Sequence, residues 1–324
     1  MDNQKNNKKL RQRFSKDFNL PINIFDEKYF NYYSRLYDFF PTEMWEYVNK
    51  RIDEDFGGNV ENWLNYCADF RDRAIIETMA TDEYKAFNSM DMSQWEVNPD
   101  VPKIGEHSVY TEENDGRYFI SIDLKKANFQ ALKKAGVLKD ETYEDFVERF
   151  GGDEYIKNSK YLRQVIFGKM NPGRTIKVEK YIMGEIYLAV HLTIEGMGYE
   201  FFSLNSDELV FRGKKDVWKT LDKDLCEKFE NAIRNMLGVD ARVEHYRIDD
   251  LNIENYNGNK VDAYVKTVNG GGATLKKTST TFYPQIYKMW KGKPIWDEDL
   301  VFFFEDQLAK FEHELVFRDG VEWT

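Results

Sequence analysis

The chain reads as an α+β protein: an antiparallel sheet with packed helices, a helical N-terminal region before it and a C-terminal α/β extension after it. Three observations predict this. Residues 17–106 carry apolar side chains at helical spacing. Two apolar runs, one around Phe119–Leu124 and one around Phe201–Phe211, read as strands that each deliver a carboxylate to their end. Several helical segments lie between those strands, and turn signals follow them. The expected parts are a flexible N-terminus (1–16), a helical region (17–106), a core of sheet and inserted helices (107–215), and a C-terminal hairpin with helices (216–324).

Residues 1–16 are polar and basic without an apolar core, so they read as a frayed lead-in rather than a secretory signal. Asp26 can cap a helix through Phe30, Tyr33, Leu36, Tyr37 and Phe40. Pro41 suits the first turn of a second helix with Met44, Trp45, Val48 and Ile52 on one face. Asn59 can cap a third that carries Trp63, Leu64, Cys67, Phe70, Ala74 and Ile75. Pro99, Pro102 and Gly105 mark 92–106 as a linker. Val109–Thr111 and Arg117–Leu124 flank an Asp115-Gly116 turn and predict a hairpin. Helices are expected over 126–135, ended by Gly136, then over 141–150 and 158–169, and after the Asn171-Pro172-Gly173 break over Thr175–Glu195. Tyr199–Phe211 should form a second hairpin with Asp207 and Glu208 at its turn, and Trp218–Leu237 a helix stopped by Gly238. Asn257-Gly258 predicts a hairpin between Ala241–Ile253 and Lys260–Val268. A flexible Asn269–Gly272 joint and helices near 282–291 and 297–312 complete the expectation.

Composition narrows the function. The 324 residues are 42% hydrophobic, enough for one large core or two or three smaller ones. No run approaches the roughly 18–20 apolar residues of a membrane helix, so no membrane partner is expected. Cys67 and Cys226 read as free buried thiols, and the scattered histidines His107, His191, His245 and His313 give no zinc-site spacing. The cytoplasm is the default location for such cysteine usage. A net charge of −11 disfavours long-range attraction to nucleic acid and leaves a local basic channel as the way to bind it.

The chemistry lies in Ile122-Asp123-Leu124-Lys125-Lys126-Ala127-Asn128-Phe129 and in Asn205-Ser206-Asp207-Glu208. Alone, Asp123 is an ordinary helix cap and Ser206-Asp207-Glu208 an ordinary polar turn. Ordered together and embedded in strands, the acids suit a site that binds two Mg²⁺ (or Mn²⁺) through carboxylate oxygens. Asp123 and Asp207 would be the main ligands. Glu208 would bind directly or through water, with the backbone carbonyl of Leu124 or Ser121 as a further ligand. Lys160, Arg163 and Lys169 are spaced to project from one helix toward a triphosphate. Arg174 and Thr175 are placed to meet a template or an incoming base.

The first stretch resembles the D-L-K-x-A-x-F motif of reverse transcriptases, and Asn205–Glu208 occupies the place of their Y-x-D-D turn. The Asp-Glu pair is more similar to the H-D-E turn of family A DNA polymerases, and Arg163-Gln164-Val165-Ile166-Phe167-Gly168 to the K-x-x-x-F-G core of their fingers helix. The resemblance covers about residues 117–213 and is to the palm of right-hand nucleic-acid polymerases. It implies a palm-like sheet and a nucleotidyltransferase that takes nucleoside triphosphates and a nucleic-acid primer or template, with Asp123, Asp207 and Glu208 catalytic. It also implies nucleotide contacts from Lys160, Arg163, Lys169, Asn128 and Arg174. Asn128 falls where such enzymes sense the sugar 2′ position, usually with a bulky aromatic or Glu, so ribonucleotide use stays open. The Pro-Gln-Gly loop of reverse transcriptases is absent from the sequence, and the fingers-like helix stands much nearer the last acids than in family A. The small size leaves little room for full fingers and a thumb, which points to an accessory protein subunit. Two other readings stand beside this one: an inactive palm-like or other α+β protein that binds a protein partner, and a metal-dependent phosphodiesterase.

Overall fold

The computed structural model describes residues 2–103, 105, 107–214 and 223–318. Five helices open the chain: α1 (Asp2–Asp17), α2 (Glu27–Leu36), α3 (Thr42–Asp55), α4 (Val60–Ala80) and α5 (Asp82–Ser89). The caps expected for α2 and α4 form. Asp26 accepts from the Lys28 N–H, and Asn59 accepts from those of Glu61 and Asn62, so orphan donors at both starts are satisfied. α1 replaces the expected flexible lead-in. Leu10 and Phe14 stand one turn apart and are buried, which anchors an otherwise basic helix. Asp17 at its end is buried, pairs with Arg13 at 2.8 Å and accepts from the Tyr155 hydroxyl.

The core follows as β1 (Tyr118–Leu124), α6 (Ala127–Lys134), α7 (Tyr143–Arg149), α8 (Glu154–Asn158), α9 (Lys160–Gly168), α10 (Pro172–Gly196), β2 (Tyr199–Leu204), β3 (Glu208–Gly213), α11 (Lys223–Leu237) and β4 (Ala241–Asp250). Then come β5 (Ile253–Glu254), β6 (Lys260–Val261), β7 (Tyr264–Val268), β8 (Ala273–Lys276), α12 (Tyr283–Trp290), β9 (Val301–Phe304), β10 (Gln307–Lys310) and β11 (Val316–Phe317). The mixed α+β class is as expected. The main sheet is antiparallel throughout, in the order β2-β3-β1-β4-β7-β8. β3 lies between β1 and β2, and β1 lies between β3 and β4. Strands β1 to β4 with their helical crossovers therefore form two interleaved split β-α-β units.

The two sheet faces differ. Ile120, Ile122, Leu124, Leu209, Phe211 and Val243 join the main core beneath the helices. The alternate residues, Phe119, Val210, Tyr246, Ile248 and Tyr264, form a smaller cluster on the opposite face, with Val109 and Tyr110 packed over it. Asp123 shares that second face.

Three further expectations change. Residues 109–111 are not a strand, because β1 already pairs with β3 on one side and β4 on the other. Val109 packs on the sheet instead, and Gly116, at φ +69°, donates its N–H to the Ile248 carbonyl. The Asn269–Gly272 joint is the tight turn that adds β8 to β7. Residues 297–312 are not a helix. A short 3₁₀ turn at Asp297–Leu300 leads into a β9–β10 hairpin, where Val301 and three phenylalanines favour strand and Glu305 and Asp306 both take positive φ. The expected helix start at Trp218 lies outside the described residues. Among the described residues no helix is long and apolar enough to cross a membrane.

Candidate nucleotide and metal cleft

β1 brings Asp123 directly opposite Glu208 of β3 and Arg242 of β4. Directly paired residues of antiparallel strands project to one face, so two acids and a guanidinium share a small surface. The Leu124 N–H donates to the Asp207 carbonyl at 2.8 Å, which fastens the β2–β3 turn against the end of β1. Asn205 closes that turn by donating to the Glu208 carbonyl at 2.8 Å. Past Leu124, Lys126 takes the left-handed conformation (φ +54°) and reverses the chain into α6, which sets Asn128 in its first turn.

A cleft of about 580 Å³ opens at this end of the sheet. Asp123, Leu124, Asp207 and Arg242 at the strand ends, Lys160 and Arg163 of α9, Asn128 of α6 and Glu179 of α10 all line it. Asp123 is not free: Arg242 Nη2 stands 3.2 Å from its Oδ2. Burial, reinforced by Asp207 and Glu244, holds the Asp123 carboxyl above its usual range against the pull of Arg242. Burial likewise raises Glu208, and Asp123, Asp207 and Glu244 add to the rise while Lys266 opposes it. Burial works on Glu244 too, but the Lys266 ammonium bonded to it at 2.6 Å wins and holds it low. Arg163 is kept below its usual range by burial and lies 5.5 Å from the centre of the Tyr143 ring. Among the described residues neither Lys160 nor Arg163 has an ion-pair partner, whereas Lys125 pairs with Glu230 and Lys126 with Glu144.

Five side chains expected at the site, together with Leu124, thus border one cleft: Asp123, Asp207, Asn128, Lys160 and Arg163. Glu208 is not among the lining residues; it is paired across the strands with Asp123 on the same face of the sheet and is partly buried. Lys169 is exposed at the C-cap of α9 and is not part of the lining. Arg174 is placed otherwise than expected: its Nη1 donates to the Phe87 and Met90 carbonyls at 3.0 and 2.9 Å, which ties α10 to the end of α5. Thr175 is buried, and its hydroxyl donates back to the Met170 and Asn171 carbonyls at the start of its own helix. Among the described residues no three Asp, Glu, His or Cys side chains stand close enough together to hold a metal ion.

Glu179 escaped the sequence reading. It is 3% exposed and accepts from Asn128 Nδ2. Burial pushes its carboxyl up to about 7, Asp207 adds to the rise, and the Asn128 bond only partly offsets it. A signal was present: Glu179 stands at helical spacing with Ile182, Met183 and Ile186, an acid on an otherwise apolar stripe. Comparison with family models, with curated proteins and with solved structures finds no match to this chain.

Proposed function

We propose that the chain is a metal-dependent nucleotidyltransferase with a palm-type core that adds nucleotides to a 3′-hydroxyl. The observation that carries this reading is the meeting of Asp123 and Asp207, distant in sequence, at a cleft also lined by Lys160 and Arg163, cations with no ion-pair partner among the described residues. The strand order, with the Asp123 strand at the centre of interleaved split β-α-β units, is compatible with a palm.

The residues fit a divalent cation. Asp123 and Glu208 are both raised in part by neighbouring negative charge, a strain that a cation would relieve. Mg²⁺ is commonly held by one or two carboxylates with phosphate oxygens completing its shell, so Asp123 and Asp207 suffice on the protein side. Glu208 and the Leu124 carbonyl are the further candidates. Such ions would supply acidification of the attacking hydroxyl and neutralisation of the triphosphate. Lys160 and Arg163 would donate charge-assisted hydrogen bonds to the triphosphate oxygens. Asn128, held by Glu179, would face the sugar. Arg242 would exchange its bond to Asp123 for a phosphate. A primer or template strand would lie past the Asp123 end of the sheet, beside Arg242.

The test is extension of labelled DNA and RNA primers, with and without template, with Mg²⁺ or Mn²⁺ and all eight nucleoside triphosphates. Extension by the native chain, lost in Asp123→Ala and Asp207→Ala with unchanged unfolding curves, supports the proposal. Full activity in both variants refutes the site. The Arg242–Asp123 bond favours a second reading, a palm-like protein that binds nucleotide or a protein partner without chemistry. Stabilisation by Mg²⁺ and nucleotide with no extension would favour nucleotide binding alone. A product formed without any triphosphate would indicate a phosphodiesterase.

A further inference from the structure

We propose that a second cleft, between α2 and the segment after α12, binds a nucleotide, either free or as one unit of a single strand. This cleft, about 570 Å³, shares no residue with the Asp123 cleft, and its volume lies in the range of small-ligand sites.

Its charge is the first argument. In a chain of net charge −11, the lining holds Arg35, Lys288 and Lys293 and no carboxylate. Lys288 is neutralised from beneath: its Nζ lies 2.6 Å from Asp299 Oδ2, with both side chains at most 3% exposed. Arg35 and Lys293 have no ion-pair partner among the described residues. Arg35 spends only its Nε–H, on the Asn31 carbonyl at 2.9 Å, which leaves the rest of its fork for an anion.

The second argument is the ring. Trp296 is 56% exposed, unusual for so large an apolar surface. It is nonetheless fixed. Lys288 Nζ sits 3.8 Å from the ring centre, and the backbone N–H of Trp296 donates to Asp299 Oδ2 at 2.6 Å, which fixes the chain at the base of the side chain. Asp299 in turn accepts from the Tyr32 hydroxyl at 2.5 Å. A ring positioned before its ligand arrives loses little freedom on binding. A flat partner on the indole, with its anion between Arg35 and Lys293, matches a base and its phosphate. A neutral sugar would leave the cations unused, and an acidic peptide would leave the ring unused.

The experiment uses the full chain. Binding of labelled single-stranded RNA and DNA 12-mers is followed by fluorescence anisotropy, and binding of AMP and adenosine by titration calorimetry. The variants are Trp296→Ala, Trp296→Phe and the double change Arg35→Glu with Lys293→Glu, each checked by thermal unfolding. Trp296→Ala should weaken binding about 5- to 100-fold, the loss of one base–aromatic stack, while Trp296→Phe keeps most of it. The charge reversal should weaken AMP and strand alike and lower the salt dependence. AMP bound as tightly as the 12-mers identifies a free nucleotide as the ligand, and 12-mers bound far more tightly identify a strand. The proposal is overturned if native protein binds none of the probes, if adenosine binds as well as AMP, or if Trp296→Ala and the charge reversal both bind like the native chain. The rim cations are exposed, so the charge reversal remains a usable test even if Trp296→Ala fails to fold.

Discussion

Replacing Glu179 by Gln should turn a pH-sensitive protein into a less sensitive one. Glu179 is nearly inaccessible, and its carboxyl is pushed up to about 7 from an ordinary 4.5. Between those values the folded chain holds a proton that the unfolded chain has lost. Stability contributed by the protonated carboxyl is therefore complete at low pH and is lost as pH rises toward and through 7. From pH 5 to pH 8 that loss comes to about 2.5 kcal/mol. Gln keeps the acceptor for Asn128 Nδ2 and titrates in neither state, so the variant should gain about 2.5 kcal/mol on the native chain over the same interval. Urea unfolding of both proteins at pH 5 and pH 8 measures this, with other titrating groups cancelling in the comparison. A stability difference that stays constant with pH would refute the assignment of a buried, proton-holding Glu179. A carboxyl half-charged near neutrality and beside Asp207 is also suited to respond to a bound cation. The native slope should accordingly flatten in saturating Mg²⁺ if the cleft takes the ion.

Three other perturbations follow from the packing and the charges. Arg242→Ala removes the charge that lowers Asp123, so Asp123 should rise further and the acid limb of any activity profile should move to higher pH; the pair is half-exposed, so stability should change by less than about 1 kcal/mol, and an unmoved acid limb would count against Asp123 as the titrating group. Asp299→Ala strands the buried Lys288 ammonium and also removes the acceptor of Tyr32 and Trp296, so urea unfolding should show a loss of about 3–5 kcal/mol, much of it recovered when Lys288→Met is added. Gly152→Ala puts a methyl 2.4 Å from Val147 Cγ1 and 2.6 Å from Phe70 Cε2, so it should cost about 1–3 kcal/mol by the same measurement, and a neutral result would mean that Phe70 has room to turn.

Helices with a cap and an apolar stripe were readable because both signals are local. Asp26 and Asn59 cap their helices through bonds that span two or three residues. The hairpin around Asp207 and the one around Asn257-Gly258 were readable for the same reason. What sequence reading could not supply was strand partnership. Arg117–Leu124 was recognised as a strand, but its neighbours come from residues 208–213 and 241–250, so the nearby 109–111 segment, paired in the sequence reading, had no edge left to join. Residues 297–312 read as a helix because a short apolar run such as Phe302–Phe304 suits either state, and the two residues with positive φ that follow it make it a hairpin strand. α1 was misjudged because charge outweighs Leu10 and Phe14 in composition although not in packing.

The acids of the chain explain which part of the site was hidden. Elsewhere, buried carboxylates come with a cation: Asp17 with Arg13, Asp250 with Lys260, Asp299 with Lys288. Such pairs satisfy the requirement that buried charge be compensated within the fold. Glu179 breaks that pattern with the Asn128 amide bonded to it, and Asp123 breaks it in part, since burial, Asp207 and Glu244 outweigh the half-exposed Arg242 and the more distant Lys266. Uncompensated negative charge gathered at one strand end works against stability, and perturbed groups of this kind concentrate where a protein handles a ligand. Asp123 and Asp207 could be found because each stands at the end of an apolar strand. Glu179 could be placed with them only after α10 packed its apolar stripe against α6 and brought the one acid on that stripe beside Asn128. The sequence carries the anomaly, an acid at a core position, but its neighbour lies on another helix, and only the folded chain joins the two.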